Sequence, residues 1–189
     1  MESPNETDDA LVRAQAGDES GFRALWLSLQ PQLRRYLQGL GCDDAEDVAS
    51  ETWLQAIRDL NRFSGSGQDF RAWLFTIGRH RALDAARSAA RYRDKVQRLV
   101  PEQADWDPVE DEVLYRLSHQ RAAALLAGLS QDQSAAIGLR VIAGLDTGST
   151  ACMLGKSAGA IRVSLHRGLT KLSADPRIHA SLRAGCGDG

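Results

Sequence analysis

The chain has 189 residues, a length that suits one larger domain or two small ones. Its 43% hydrophobic and 25% charged residues are ordinary for a soluble globular protein. Three unclustered cysteines argue against a disulfide framework or a zinc site. No apolar run approaches a membrane span, and the acidic N-terminus is unlike a signal peptide, so we expect a cytoplasmic protein without metal or cofactor.

The net charge of −2 conceals a strong segregation of charge along the chain. Residues 71–98 contain seven arginines and one lysine against two aspartates, whereas residues 102–112 contain six acids and no base. Residues 43–51 contain five acids and no base. This distribution predicts local electrostatic faces that the net value does not show.

Helical periodicity recurs through the chain and strand signals are scarce, which predicts an all-α fold. Asp18 is a predicted cap for the first helix, which extends through Leu37. Pro31 is expected to kink this helix, and Gly39 and Gly41 to end it.

A second helix is predicted from Asp43, which together with Glu46 has the spacing of a capping box. Its predicted buried face consists of Ala45, Val48, Ala49, Thr52, Trp53, Ala56, Ile57 and Leu60. Its opposite face consists of Asp47, Ser50, Glu51, Leu54 and Arg58. An exposed leucine among charges is typical of a surface that binds a partner, although an ordinary solvated face has the same composition.

A glycine- and serine-rich loop, Arg62–Asp69, precedes a helix that combines aromatic and arginine residues. Its predicted buried stripe is Phe70, Trp73, Leu74 and Ile77. A second stripe of Trp73, His80, Arg87 and Arg91 becomes basic. Such a face suits unpaired nucleic acid, in which bases stack and phosphates need charge. The alternative is an amphipathic helix with solvated arginines.

Two prolines and the acid cluster of residues 101–113 predict an extended linker, after which the pattern favours a helix-turn-helix. We expect helices over residues 131–143 and 147–154, a turn at Gly155, and a final helix capped by Ser157. The expected inner stripe of that helix is Ile161, Leu165, Leu169 and Leu172. The other side of this helix is basic, which suits insertion into a DNA major groove. The alternative is a helical hairpin whose basic side chains are only solvated.

Two segments together resemble a known family. The first segment comprises two stretches, DAEDVASETWLQAIRDLNRF (Asp44–Phe63) and FRAWLFTIGRHRALDAAR (Phe70–Arg87), and the second is LGKSAGAIRVSLHRGLTKL (Leu154–Leu172). The first segment resembles region 2, and the second resembles region 4, of the extracytoplasmic-function (ECF) sigma factors of bacterial RNA polymerase. The resemblance implies two small helical domains, a region 2 bundle and a region 4 helix-turn-helix, joined by a flexible acidic linker. The expected order is an N-terminal segment 1–17, region 2 at 18–98, the linker at 99–113, region 4 at 114–173 and a tail at 174–189.

The resemblance also implies a function: binding core RNA polymerase, recognising the −35 and −10 promoter elements, and melting the DNA. The implied polymerase contacts, with the beta and beta-prime subunits, are Asp47, Ser50, Glu51, Leu54 and Arg58. The implied −10 contacts, with single-stranded DNA, are Phe63, Ser64, Gly65, Ser66, Gly67, Arg79, His80 and Arg87. The implied −35 contacts, with duplex DNA, are Ser157, Arg162, Val163, His166 and Arg167. Trp73 is expected in the core.

Three departures from the family pattern concern these sites, one of them Val163, which stands where a small polar residue is usual and could contact a thymine methyl group instead. Ser50 stands where the family usually has glutamine, and His80 where asparagine is common, so His80 predicts a changed −10 preference. Many family members are held inactive by an anti-sigma protein, which makes such a partner an expectation here. A stand-alone helix-turn-helix regulator is the alternative function. An enzyme is not expected, because no phosphate loop, metal-spaced cluster or nucleophile–base motif is present.

Overall fold

The computed structural model of the protein describes residues 4–42, 44–96 and 128–176. Within these ranges every regular element is helical and there is no strand, which confirms the predicted all-α class. The helices are α1 (Pro4–Gln15), α2 (Glu19–Gly39), α3 (Ala45–Asp59), α4 (Gly67–Val96), α5 (Gln131–Ile137), α6 (Thr147–Leu154) and α7 (Ala158–Ser173). A 3₁₀ turn, Leu60–Arg62, follows α3, and a π-helical turn, Gly138–Ile142, follows α5.

The chain divides into two compact units, Met1–His119 and Gln120–Gly189. Helices α1 to α4 belong to the first unit and α5 to α7 to the second. The predicted acidic linker, 99–113, lies outside the described residues, as do the first part of the predicted region 4 and most of the predicted tail. None of the described helices combines the length and the apolar character needed to cross a membrane.

The first unit is a bundle in which α2, α3 and α4 enclose an aromatic core. Its fully buried large side chains are Leu25, Leu29, Leu33, Tyr36, Leu37, Thr52, Phe70, Leu74 and Phe75. The rings of Tyr36 and Phe75 lie 5.4 Å apart, and those of Phe22 and Trp53 lie 5.6 Å apart. Burial of each large apolar side chain contributes about 1.5–3 kcal/mol, so this core holds the three helices firmly against one another.

Helix α1 was not predicted from the sequence. It packs against α2 and α4 through Ala10, Leu11 and Ala14, all of which are buried. Its apolar stripe is short and lies within a strongly acidic segment, so the periodicity was too weak to identify a helix. The predicted N-terminal segment 1–17 therefore contains a helix that is part of the first unit.

The predicted helix ends are confirmed for α2, whereas the predicted cap of α3 is not seen among the described residues. Asp18 caps α2 as predicted, since its carboxylate accepts a 2.8 Å hydrogen bond from the Ser20 amide, and Gly41 ends the turn after α2 with φ +76°. Helix α2 continues without a break through Pro31. Asp43 lies outside the described residues. The residue that precedes α3 is Asp44, which makes no side-chain cap, and Glu46 instead pairs with Arg34 at 3.0 Å.

Two residues assigned to buried stripes are exposed, and these assignments were wrong. Ile57 is 47% exposed because it lies three residues after Leu54 and therefore shares the outer edge of α3. Leu169 is 43% exposed, and the neighbouring Gly168 occupies the inner position of α7. A Cβ at Gly168 would lie 2.8 Å from the Ile137 side chain, so the glycine allows α5 and α7 to approach closely.

The second unit has a small core and well-capped helices. Ala136, Ala151 and Ile161 form the core cluster, with Leu154 packed against it. Ser130 and Gln133 form a capping box at α5, and the Asp146 carboxylate caps α6. The predicted turn and cap before α7 are confirmed: Gly155 has φ 62°, and the Ser157 side chain accepts a hydrogen bond from the Ala160 amide.

Candidate protein and nucleic-acid interfaces

The outer face of α3 presents the five residues predicted to contact a protein partner, and all five are exposed. They are Asp47, Ser50, Glu51, Leu54 and Arg58. Leu54 is 53% exposed, and Ile57, one turn further along, adds a second exposed aliphatic side chain. An apolar pair surrounded by charged and polar groups has the composition of a small protein-binding surface.

This face is connected to α4 by a polar network. The Arg81 guanidinium lies 2.6 Å from the Glu51 carboxylate and donates a 3.4 Å hydrogen bond to the Gln55 side chain. Gln55 in turn donates to the Asp59 carboxylate. Arg81 and His80 are adjacent on α4, but Arg81 contacts α3 whereas His80 is exposed to solvent. The network therefore joins two candidate interfaces through one helix.

The loop before α4 is shorter than predicted, because Gly67–Asp69 already form the first turn of the helix. Ser66 and Asp69 cap this end reciprocally, with the Asp69 carboxylate accepting from the Ser66 amide at 2.9 Å and the Ser66 hydroxyl accepting from the Asp69 amide at 3.2 Å. Gly65 has φ +151°, and a Cβ there would lie 2.9 Å from the Asp69 Cβ. The tip, Ser64 to Ser66, is exposed, whereas Gly67 is buried.

An aromatic cluster supports this loop from below. The Phe63 ring lies 5.5 Å from that of Phe70 and 5.1 Å from that of Trp73, the latter pair inclined by only 33°. Phe63 and Trp73 are both half-buried, whereas Phe70 is fully buried. Trp73 therefore packs at the edge of the core and leaves part of its surface beside the loop.

The basic side chains of α4 differ in exposure. His80 and Arg87 are exposed and two helical turns apart, about 10.5 Å along the axis. Arg87 also pairs with Asp84 at 3.0 Å. Arg79 is half-buried beside Tyr36: burial raises the pKa of the Tyr36 hydroxyl, and the positive charge of Arg79 opposes that rise. The solvent-facing part of this surface is therefore centred on His80 and Arg87.

In the second unit, α7 presents the predicted recognition residues to solvent. Arg162, Val163, His166 and Arg167 are all exposed. Residues 152–173 contain four bases and no acid. One of these bases, Lys156, pairs with Asp132 of α5 at 2.7 Å and so helps to fix the turn before α7. The exposed side of α7 therefore has the charge and the placement of a helix that enters a major groove.

Sequence reasoning missed four residues that bear on these surfaces. Asp8 and Gln15 of α1 are hydrogen-bonded to the loop before α4, Ile57 is exposed beside Leu54, and Arg81 pairs with Glu51. Three of them act through contacts between helices, which periodicity does not reveal. The spacing of Ile57 from Leu54 was the only available signal, and it could equally indicate burial. Among the described residues, no group of His, Cys, Asp or Glu side chains could hold a metal ion.

Comparison with known families accounts for both units. Sigma-70 region 2 matches residues 25–92, and Sigma-70, region 4, matches residues 119–172. The two matches occur in the order expected from the sequence. The first begins within α2 and ends within α4, so it contains α3 and the loop.

Individual relatives give the same result. The ECF RNA polymerase sigma factor BldN of Streptomyces coelicolor is 34% identical over 170 residues, which cover 87% of this chain and 64% of BldN. The ECF RNA polymerase sigma factor SigD of Mycobacterium bovis is 35% identical over 173 residues, covering 87% of this chain and 81% of SigD. This chain thus spans somewhat less than two thirds of BldN but most of SigD.

A solved structure agrees with these relatives. The sigma factor RpoE of Bartonella quintana, crystallised in complex with the anti-sigma factor NepR, has a TM-score of 0.61 and 26% identity. The similarity covers 80% of this chain and 93% of the RpoE chain. From the matches to regions 2 and 4, these relatives and the helical architecture, we conclude that the chain belongs to the ECF RNA polymerase sigma factors.

Proposed function

We propose that this chain binds core RNA polymerase, directs it to promoters with −35 and −10 elements, and helps to open the DNA, without chemistry of its own. The observation that carries the proposal is the pairing of two unlike faces in the first unit. One is the acidic and aliphatic outer face of α3, and the other is the loop with the basic side of α4.

The polymerase contact is assigned to α3. Leu54 and Ile57 lie exposed and one turn apart, so together they offer a small apolar surface that a partner would bury. The charged residues around them, Asp47, Glu51 and Arg58, would form the polar rim of such an interface. Binding energy in interfaces is concentrated in a few residues near the centre of the contact, and we assign the largest share to Leu54 because the charged residues surround it.

Recognition of the −10 element is assigned to the loop, Phe63–Gly67, and to His80 and Arg87. Extruding a base from a duplex costs a few kcal/mol, which a pocket must offset. The exposed tip offers backbone and hydroxyl groups, and the partly exposed rings of Phe63 and Trp73 lie beside it. His80 and Arg87 would hold the adjoining unpaired strand, with Arg79 behind them.

Recognition of the −35 element is assigned to α7. Ser157 caps the helix, so its first turn is well defined, and Arg162, Val163, His166 and Arg167 follow on the exposed side. Arginine can donate two hydrogen bonds to a guanine edge, and an aliphatic side chain can contact a thymine methyl group.

Regulation by an anti-sigma protein is proposed as well. RpoE, to which this chain is similar, was crystallised with such a protein. A regulator that blocks polymerase binding would cover Leu54 and Ile57, so Leu54→Asp should weaken the regulator and the polymerase together.

The decisive experiment is transcription reconstituted with purified core polymerase on a library of randomised promoters. We expect transcripts to select one −35 element and one −10 element at a fixed spacing. A chain that neither binds core polymerase nor changes the start sites would refute the proposed function.

Matched histidine variants test the two DNA assignments in the same library. His80→Asn should change the preferred −10 bases and leave the −35 preference intact, because its side chain lies on α4. His166→Asn should do the opposite, because His166 lies on α7. If both variants select the same promoters as the parent, these site assignments are wrong.

A further inference from the structure

Helix α1 is hydrogen-bonded to both ends of the loop that precedes α4. At the first end, the Gln15 side-chain amide donates to the Phe63 carbonyl at 2.7 Å and to the Leu60 carbonyl at 3.1 Å. At the second end, the Asp8 carboxylate accepts a hydrogen bond from the Gly67 amide. Asp8 and Gln15 are seven residues apart, so they lie on the same face of α1 about 10.5 Å from each other.

The position of α1 is itself closely constrained. A Cβ at Gly21 of α2 would lie 2.6 Å from the Ala14 amide nitrogen and 2.7 Å from the Ala10 carbonyl oxygen, so the two helices touch backbone to backbone. At the other contact, a Cβ at Gly67 would lie 2.8 Å from the Thr7 side chain. With these contacts and its buried stripe, α1 is a firm support rather than a loose terminal segment.

The hydrogen bonds determine which part of the loop is free. The Phe63 carbonyl and the Gly67 amide belong to the two ends, and both are fixed to α1. The tip between them, Ser64 to Ser66, faces solvent. Without Gln15, the Phe63 carbonyl would have to bond to water and the Leu60 carbonyl would keep only its bond from the Phe63 amide, so the loop would sample more conformations.

We propose that α1 belongs to the −10 recognition apparatus, with Gln15 and Asp8 as positioning residues that set the conformation of the Phe63–Gly67 loop. This inference rests on the proposed role of that loop. Neither residue is assigned a contact with DNA. They act by holding the loop in the shape that receives the base, so their loss should reduce discrimination among −10 sequences.

The principal test compares two glutamine variants. Gln15→Met keeps the length of the side chain and removes the donor to the loop. Gln32→Met is the matched control, because Gln32 is also part-buried and accepts a hydrogen bond from Arg71 of α4, but it does not contact the loop. We expect Gln15→Met to lower the ratio of transcription from the selected −10 element to that from single-base variants about ten-fold, as loss of one or two hydrogen bonds implies. Gln32→Met should leave this ratio unchanged.

Two further measurements separate positioning from general destabilisation. The affinity of Gln15→Met for core polymerase should stay within about two-fold of the parent, because α3 is not altered. Trypsin cleavage after the exposed Arg62, identified by mass spectrometry, should become about ten-fold faster in Gln15→Met as the loop loosens. Asp8→Ala tests the second end in the same way, and Asp8→Asn, which keeps an acceptor oxygen, should restore most of the selectivity.

The outcomes distinguish this inference from the proposed function. If the parent protein selects a −10 element and Gln15→Met and Asp8→Ala select it equally well, α1 has no positioning role. If Gln15→Met and Gln32→Met lose selectivity equally, the effect is general destabilisation and the inference fails. If the parent selects no −10 element but Arg62 cleavage still accelerates, the structural support is real and the proposed function of the loop is wrong.

Discussion

The two units hold their exposed side chains in place by different means. In the first unit the decisive contacts join helices that are distant in sequence, such as Gln15 with Phe63 and Arg81 with Glu51. In the second unit the helix starts are fixed by caps within a few residues, such as those of Asp146 and Ser157, and the Lys156–Asp132 pair adds a contact between distant residues. A surface supported by tertiary contacts can be tuned from a distant helix, whereas one supported by caps depends on its immediate sequence.

The cores of the two units also differ, since the first contains large aromatic side chains and the described part of the second contains aliphatic ones. The fully buried large side chains of the first unit include Tyr36, Phe70 and Phe75, whereas those within residues 128–176 are Leu139, Leu145 and Ile161. A side-chain cap contributes about 1 kcal/mol, and a buried aliphatic side chain about 1.5–3 kcal/mol. Caps therefore supply a larger fraction of the stability in the described part of the second unit.

The largest expected effect tests whether the first unit depends on an apolar anchor. Leu54→Asp places a charge where we propose a desolvated contact, and we expect core polymerase affinity to fall about thirty-fold or more. The affinity is measured by titrating labelled protein with core polymerase. Folding should be unaffected, because Leu54 is exposed, and circular dichroism checks this.

Val12→Asp is the matched control for Leu54→Asp. Val12 is 65% exposed but lies on α1 rather than on α3. Its substitution should leave polymerase affinity unchanged. Equal losses in the two variants would mean that the apolar surface of α3 has no special role.

The next effect concerns the recognition side of α7. Arg162→Ala should reduce transcription from promoters with an intact −35 element by about ten- to one-hundred-fold, as loss of a base contact implies. Lys171→Ala, in the last turn of α7, should cause a smaller loss that does not depend on the −35 sequence. The measurement is reconstituted transcription on promoters with and without that element. Identical losses on both promoters would exclude base recognition by Arg162.

This contrast between local and tertiary support explains what the sequence predicted. The turn at Gly155, the cap at Ser157 and the bounds of α6 were correct because each depends on neighbouring residues. The outer face of α3 was also predicted correctly, since helical periodicity alone separates Leu54 from Trp53. Residue roles at the interfaces came instead from resemblance to a family.

The errors occurred where a distant contact decides the structure. The support that Gln15 gives to the loop spans 48 residues, and nothing near Gln15 indicates it. Leu169 fits the helical spacing as well as Gly168 does, but Gly168 takes the inner position, where a Cβ would lie 2.8 Å from the Ile137 side chain and 3.2 Å from that of Gln133. Such choices depend on packing between helices, which a single sequence does not specify.

A smaller effect tests whether the second unit depends on its caps. Asp146→Ala removes the hydrogen bonds to the Gly148 and Ser149 amides, at 2.7 and 2.9 Å, and should cost about 1 kcal/mol. Amide hydrogen exchange should become faster in α6 and α7 and remain unchanged in α2 to α4. Asp18→Ala, which removes the cap of α2, is the control and should leave α6 and α7 unaffected. If α6 and α7 exchange at the parent rate in Asp146→Ala, the importance assigned to caps is wrong.

The same cap predicts a pH dependence. Hydrogen bonds from Ser149, side chain first and backbone next, hold the pKa of Asp146 below its ordinary value of 3.8. The ionised carboxylate thus stabilises the fold above that value, and its contribution is lost as the pH falls through the lower pKa of the folded state. Parent and Asp146→Ala should therefore differ in the exchange rates of α6 at pH 7, and the difference should shrink toward pH 3. A difference that is constant with pH would exclude the carboxylate as its source.

The smallest expected effect lies at the connection between the two faces of the first unit. Glu51 and Arg81 are both partly exposed, so their pair should be worth only about 0.2–1 kcal/mol in the free protein. A double-mutant cycle of Glu51→Gln and Arg81→Gln, measured by chemical denaturation, should give a coupling energy in that range.

Repeating the cycle on polymerase affinity is the sharper comparison. If Arg81 only stabilises α4, the Arg81→Gln substitution will not alter the effect of Glu51→Gln on polymerase affinity. If Arg81 orients the Glu51 carboxylate toward polymerase, the losses of affinity in the two single variants will add to more than the loss in the double variant. The second result would show that the α3 face, like the loop, is set by a residue outside it.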